Sequence, residues 1–140
     1  MGKEKVPAMG SIKNLKLVYS DKPQPKLLIA IPNPYPDQDY QVEIVYGEFT
    51  CLCPLNPSQP DYATFNIKYS PDRTLVEFKS LKLYLVSYRN VATFHEEATN
   101  RVLRDLVTVL RPFKMEIAAD WNIRGGTKVR VSSFYSKPKS

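Results

Sequence analysis

The sequence predicts a single α+β domain, an antiparallel sheet with two helices on one face. Three observations predict it. Apolar and polar residues alternate in four short stretches, the period of a half-buried strand. Between the second and third stretches the apolar spacing changes to that of a helix. The resulting order (strand, strand, helix, helix, strand, strand) sets antiparallel pairs on either side of a helical hairpin that can cover one sheet face. The chain has 140 residues, 43% hydrophobic and 24% charged. That is a globular balance and a length suited to one core.

Residues 1–26 are polar and lysine-rich and read as an N-terminal extension. A single domain follows over 27–136, and 137–140, with Lys137 and Lys139, form a basic tail. Residues 27–40, LLIAIPNPYPDQDY, give a short apolar piece broken by Pro32, Pro34 and Pro36. Val42, Ile44 and Tyr46 then alternate with Gln41, Glu43 and Val45 as a first strand. Ala63, Phe65, Ile67 and Tyr69 mark a second. The loop between them, roughly 51–61, is long for a hairpin, and long loops in compact domains are usually functional. In TLVEFKSLKLYLVSYRN, 74–90, the first half suits extended chain. From Ser80 onward Leu81, Tyr84, Leu85 and Tyr88 fall at helical spacing. Phe94, Ala98, Val102, Leu106 and Leu110 mark a stronger helix, with Thr93 and Glu96 as a capping box and Arg111-Pro112 as its end. Met115, Ile117, Ala119 and Trp121 make a third strand, NIRGG at 122–126 turns the chain, and Val129 and Val131 continue a fourth. A four-stranded sheet leaves two free edges, which closure with neighbouring copies would remove.

The formal net charge is +6. A basic surface attracts nucleic acid, anionic lipid or a phosphorylated cofactor without choosing among them. No apolar run approaches the ~20 residues of a membrane helix, and the N-terminus lacks the apolar core of a secretory signal. A cytoplasmic protein with reduced thiols is expected.

Both cysteines lie in FTCLCPLNPSQPDY, residues 49–62. They read as a disulfide, half a metal site, small core residues, or a nucleophile with its proton source. Extended chain puts Cys51 and Cys53 on one face with Cα atoms ~6.6 Å apart, near the upper limit for a disulfide. A zinc site takes about four ligands, and the only histidine, His95, stands far off in sequence; no metal is expected. Cys51 suits a small buried residue. Cys53 ends its strand at Pro54 and opens a proline-rich loop, a place where a thiol is accessible. Asp61 can deliver or take a proton there, or simply be a loop aspartate. His95 and Glu96 start the stronger helix, where Glu96 favours the macrodipole or grips a guanine-like edge. Glu77, Lys79, Ser80 and Lys82 cluster at a strand-to-helix junction, either as a solvated helix start or as a phosphate site. There is no Gly-rich dinucleotide fingerprint and no Walker loop.

Four stretches taken together resemble one family. EFKSLKLY, 77–84, is similar to the signature E-[SL]-K-[SA]-x-K-[LY]-[YFW] of the NADPH-dependent 7-cyano-7-deazaguanine reductases, the nitrile reductases of queuosine biosynthesis, a tRNA-modification pathway. FTCLCPLNPSQPDYATF, 49–65, resembles that family's nucleophile loop, FHEEATN, 94–100, its substrate-binding F-H-E, and IRGG, 123–126, its R-G-G turn. The order and the length match the short, single-module form. The resemblance implies Cys53 as nucleophile, Asp61 as general acid, His95 and Glu96 as substrate-binding residues, and Glu77, Lys79, Ser80 and Lys82 as the NADPH signature. It implies reduction of the nitrile to the aminomethyl product through a Cys thioimide with two NADPH. It also implies a tunnelling fold (T-fold) whose subunits join sheets into an oligomeric barrel with sites between them. The expected partners are a small deazapurine nitrile and further copies of the chain, with no membrane and no stable nucleic-acid partner. Two departures stand out. Phe78 replaces the usual serine or leucine, and the loop from Cys53 to Asp61 is one residue longer, with Asn56-Pro57-Ser58 where a Gly-containing turn is usual. The rival readings are an amidinotransferase acting on nitrile-bearing tRNA, which would lack the NADPH signature, and a non-catalytic nucleic-acid-binding module.

Overall fold

In a computed structural model, residues 20–138 are described, together with Ile12, Leu15 and Lys16. Most of the extension over 1–26, and the end of the basic tail, lie outside the described residues. Four long strands form one antiparallel sheet in the order β2-β3-β5-β6: β2 is Val42–Leu52, β3 Pro60–Ser70, β5 Lys114–Trp121 and β6 Arg130–Ser136. Two helices, α1 over Phe78–Val86 and α2 over His95–Leu110, pack on this sheet. The predicted α+β architecture is therefore present. Two short strands, β1 (Ala30–Pro32) and β4 (Thr74–Val76), pair antiparallel as a separate ribbon. The proline-broken segment gave no strand signal for β1, because three paired residues are too few to show a period.

The core follows the sheet's alternation. Ala63, Phe65, Ile67 and Tyr69 of β3 turn inward, as do Met115, Ile117, Ala119 and Trp121 of β5. They meet the buried stripe of α2, which includes Ala98, Val102, Leu106 and Leu110. An aromatic cluster anchors the end of the sheet near the cysteines. Phe49 and Phe65 have ring centroids 4.2 Å apart, and Trp121 meets Phe49 edge-on at 5.7 Å.

One irregularity decides what faces the core near the cysteines. Val42, Ile44 and Tyr46 lie opposite Tyr69, Ile67 and Phe65, but Phe49 then lies opposite Ala63. Three residues of β2 therefore span two of β3, a bulge at Gly47-Glu48. It shifts the strand's phase by one, so Phe49 and Cys51 turn inward while Glu48 is exposed.

The helix starts differ from the sequence reading. No Thr93–Glu96 capping box forms: α2 begins at His95, with Phe94 at its N-cap and no side-chain cap. Thr93 is committed elsewhere. Its N–H donates to Leu52 O at 3.0 Å, and Leu52 N–H donates to Val91 O at 2.9 Å, so the chain before α2 runs extended along the end of β2. Thr93 stands one position before the N-cap, and its hydroxyl donates to Phe94 O at 3.3 Å instead of reaching the helix amides. Glu96 and Glu97 in the first turn still favour the helix dipole. The side-chain cap is at α1 instead, where Glu77 accepts from the amides of Lys79 (2.9 Å) and Ser80 (2.7 Å). Arg111 closes α2 in the left-handed region, at φ 48°.

Candidate active site

The bulge and the strand pairing bring the cysteine strand to the carboxylate. Cys51 lies directly opposite Asp61 in the β2–β3 ladder, and Leu52 opposite Pro60. The connection 53–59 closes on itself, with Cys53 N–H donating to Gln59 O (3.1 Å) and Gln59 N–H to Asn56 O (2.9 Å). Ser58 also donates to the Asn56 side chain at 2.7 Å. The connection thus turns at Asn56–Gln59 before Asp61 enters β3 opposite Cys51.

The two thiols have different surroundings. Cys51 is fully buried, its Sγ 4.0 Å from Thr93 O. Burial pushes its thiol up to about 12, and the neighbouring Asp61 and Cys53 charges add to the effect. Such a thiol stays protonated and inert near neutrality. Cys53, past the strand's end, is partly exposed, and neither cysteine is in a disulfide.

Asp61 is only 4% exposed, so its charge needs partners. Both carboxylate oxygens have them. Arg124 forms an ion pair with Oδ1, and the same guanidinium nitrogen donates to Pro60 O at 3.2 Å. His95 Nε2 lies 3.4 Å from Oδ2. The His95 ring stacks on Trp121, with centroids 4.0 Å apart and planes 5° from parallel. Trp121 itself is buried, and its indole N–H has no partner among the described residues. Glu96, beside His95, is exposed to solvent.

The R-G-G turn is built to hold Arg124. Arg124 and Thr127 exchange two backbone hydrogen bonds, of 3.0 and 2.9 Å, across Gly125 and Gly126. Those two residues have φ of 56° and 77°, a conformation in which glycine avoids the Cβ clash. Asn122 N–H donates to Tyr62 O at 2.9 Å, fastening the turn to β3 beside Asp61. The sequence reading assigned no role to Arg124 or to Trp121. The available signals were an arginine directly before a glycine pair and an aromatic residue at a strand's last position.

The other cluster lies elsewhere in the chain. Glu77, the N-cap, and Lys79, Ser80 and Lys82 lie at the N-terminal end of α1, whereas the segment touching β2 follows its last turn. A helix of this length separates its ends by about 13 Å. Ser80 is buried, its hydroxyl donating to Glu77 O (2.7 Å) and accepting from Ile29 N–H (3.0 Å). Glu77's carboxylate takes the Lys79 and Ser80 amides. The amides and hydroxyl that would cradle a phosphate are therefore already used, and the exposed ammonium groups of Lys79 and Lys82 are what this end of α1 offers an anion. Lys79 Nζ also donates to Ile12 O at 3.1 Å. Phe78 is exposed at the helix start. Among the described residues no three His, Cys, Asp or Glu side chains are placed to hold a metal ion, and no helix is long and apolar enough to cross a membrane.

Comparison with known proteins shows the family. The family model described as QueF-like protein matches residues 60–140. A Thermomicrobium roseum protein named NADPH-dependent 7-cyano-7-deazaguanine reductase is 54% identical, over 80% of this chain and 87% of its own. Proteins of the same name from Syntrophus aciditrophicus and Neisseria gonorrhoeae are 42% and 40% identical, over 91% and 96% of this chain and 90% and 85% of theirs. Among solved structures, the apo form of the archaeosine synthase QueF-Like superposes with a TM-score of 0.64, covering 71% of this chain and 96% of that one. At 18% identity that likeness is one of fold. A matched family model over more than half the chain, and relatives of this identity over most of it, establish that the chain belongs to the QueF-like family of 7-cyano-7-deazaguanine reductases.

Proposed function

We propose that the protein reduces 7-cyano-7-deazaguanine to 7-aminomethyl-7-deazaguanine with NADPH, in queuosine biosynthesis. The observation that carries the chemistry is the buried Asp61 carboxylate, paired across the ladder with the cysteine strand and flanked by His95. A nitrile carbon is a weak electrophile, and attack by the Cys53 sulfur gives a covalent thioimide while a proton reaches the nitrogen from Asp61. Glu96, exposed on the first turn of α2, accepts the paired N–H groups of the deazaguanine edge. His95, stacked on Trp121, lies beside the substrate.

The exposed ammonium groups of Lys79 and Lys82 fit the phosphates of NADPH and would hold them. Glu77 and Ser80 shape that helix start from within rather than touching the cofactor. NADPH, when bound, supplies the two hydrides that take the nitrile to the amine. Within one chain the cluster opens α1, whereas the segment that pairs with Leu52, next to Cys53, follows the helix. Subunits of a tunnelling fold that join their sheets into an oligomeric barrel would set one copy's α1 beside another copy's thiol. Among the described residues β2 and β6 are the outermost strands of the sheet, β2 being bridged to a further segment at Leu52, and such edges favour that assembly.

NADPH oxidation followed by absorbance, with and without 7-cyano-7-deazaguanine, tests the activity. Nitrile-dependent oxidation is expected, lost in Cys53→Ala while calorimetry still shows nitrile binding. No oxidation by the assembled, reduced protein would refute the reductase reading, and loss of binding in Cys53→Ala would refute the division of roles between Cys53 and Glu96.

A further inference from the structure

His95 is the first residue of α2, and the start of that helix has no side-chain cap. An imidazole there turns about two side-chain bonds, and this one is still 20% exposed. A second group has to set its plane. One face of the ring lies on the indole of Trp121, with centroids 4.0 Å apart and planes 5° from parallel. At that separation the two faces touch, so the imidazole cannot tilt without a clash or a gap.

The indole in turn has no room to give way. Trp121 is 1% exposed. Phe49 and Phe65 meet it edge-on, at 5.7 and 6.1 Å. Its backbone lies opposite Ala63 of β3, and its N–H donates to Val129 O at 2.9 Å. The plane of the indole is therefore set by the sheet, and the plane of His95 by the indole. With both fixed, Nε2 stands 3.4 Å from Asp61 Oδ2. The residue type is also informative. The indole N–H is buried with no partner among the described residues, and a buried unpaired donor destabilises a fold. Phenylalanine would fill much of the same space without that donor. What the indole adds is a wider flat face, and the imidazole lies on it.

We propose that Trp121 is a positioning residue for the nitrile reaction: from the end of β5 its indole sets the plane of the His95 ring and holds the Nε2 edge in the site. Being buried, it acts through His95 and not by touching the substrate. The inference rests on the reading of His95 as a group of the active site.

A double-mutant cycle reads this dependence. Nitrile-dependent NADPH oxidation is measured for the full chain, Trp121→Leu, His95→Ala and the double variant, with urea melts showing which are folded in the assay. Trp121→Leu keeps an apolar side chain without a ring, and kcat/KM should fall about 10- to 100-fold, the range for a misplaced group. In the His95→Ala background the same substitution should change kcat/KM less than about threefold. Trp121→Phe restores an aromatic face and should recover most of the loss. Trp121 is the chain's single tryptophan, so its emission gives a second readout that stands even where Trp121→Leu does not fold. His95→Ala strips the ring from one indole face and should change the emission intensity of the folded chain. Wild-type kcat/KM in Trp121→Leu overturns the inference alone. So do losses that multiply in the double variant, a Trp121→Phe no better than Trp121→Leu, or emission unaltered by His95→Ala. Wild-type kcat/KM in His95→Ala overturns the place of His95 in the site, and this inference with it. No nitrile-dependent oxidation by the wild-type chain overturns the reductase reading on which both stand.

Discussion

Alkylation of the folded chain at pH 8 should discriminate sharply between two cysteines that stand one residue apart. Cys51 is fully buried, and burial raises its thiol from an ordinary 9.0 to about 12. At pH 8 about one Cys51 in ten thousand is then thiolate, against about one in ten for an unperturbed thiol of that class. The thiolate population alone slows Cys51 about 1,000-fold, and closure from solvent slows it further. The shift corresponds to about 4 kcal/mol of preference for the neutral form. Cys53, partly exposed beyond the strand, has no such closure. The assay is iodoacetamide treatment, quenching and peptide mapping. Cys53 should be fully modified while Cys51 remains below about 1%, both should react in urea, and the folded Cys53→Ala chain should stay unmodified. Modification of Cys51 within tenfold of Cys53 would refute the reasoning, since it would mean that the bulge at Gly47-Glu48 does not turn Cys51 into the core.

The same burial gives the protein an alkaline limit. Burial raises Cys51, Tyr84 on α1 and Tyr88 just beyond its end. Below its unfolded value each group is protonated in both states and pH has no effect through it. Above that value the unfolded chain releases a proton that the folded chain keeps, so stability falls as pH rises, by up to about 1.4 kcal/mol per pH unit per group. Urea midpoints should therefore decline from about pH 9, where Cys51 begins to act, and Cys51→Ala should make the decline shallower; an unchanged slope would count against the buried thiol. Glu77→Ala removes the side-chain cap of α1 and should cost about 1 kcal/mol, or about 4 °C in Tm. Glu77→Gln keeps an acceptor and should cost less; a loss of NADPH binding at unchanged Tm would instead make Glu77 a cofactor ligand. Neutralising Lys79 and Lys82 together should raise the NADPH KM about tenfold or more, while nitrile affinity changes little; equal weakening of both would refute a separate cofactor groove.

Much of the architecture was legible in the sequence for a simple reason. Where a long strand or helix buries one face, its period is written in the chain, as in Ala63-Phe65-Ile67-Tyr69 and in the Ala98-Val102-Leu106-Leu110 stripe. The family was legible too, because the short local patterns around Cys53, Asp61, His95 and Glu96 carry the resemblance. The capping box at Thr93 was misread because a local pattern cannot register that Thr93 hydrogen-bonds to Leu52, forty-one positions earlier. The phase of β2 is equally nonlocal. The alternation of Val42, Ile44 and Tyr46 would continue to Glu48 and Thr50, and the bulge against β3 is what puts Phe49 and Cys51 inside.

The sequence by itself determined most of the elements and the family, and nominated the candidate reacting groups. Tertiary structure alone decided their burial and their neighbours. Asp61 acquires its partners from the start of α2 and from the β5–β6 turn, thirty-four and sixty-three residues away along the chain. Ser80 and Glu77, alike in the motif to Lys79 and Lys82, are withdrawn into the chain by Ile29 and by the helix they cap. The physical reason is common to both cases. Periodicity and capping are short-range preferences recorded residue by residue, whereas burial and ion pairing depend on which segments the fold brings side by side.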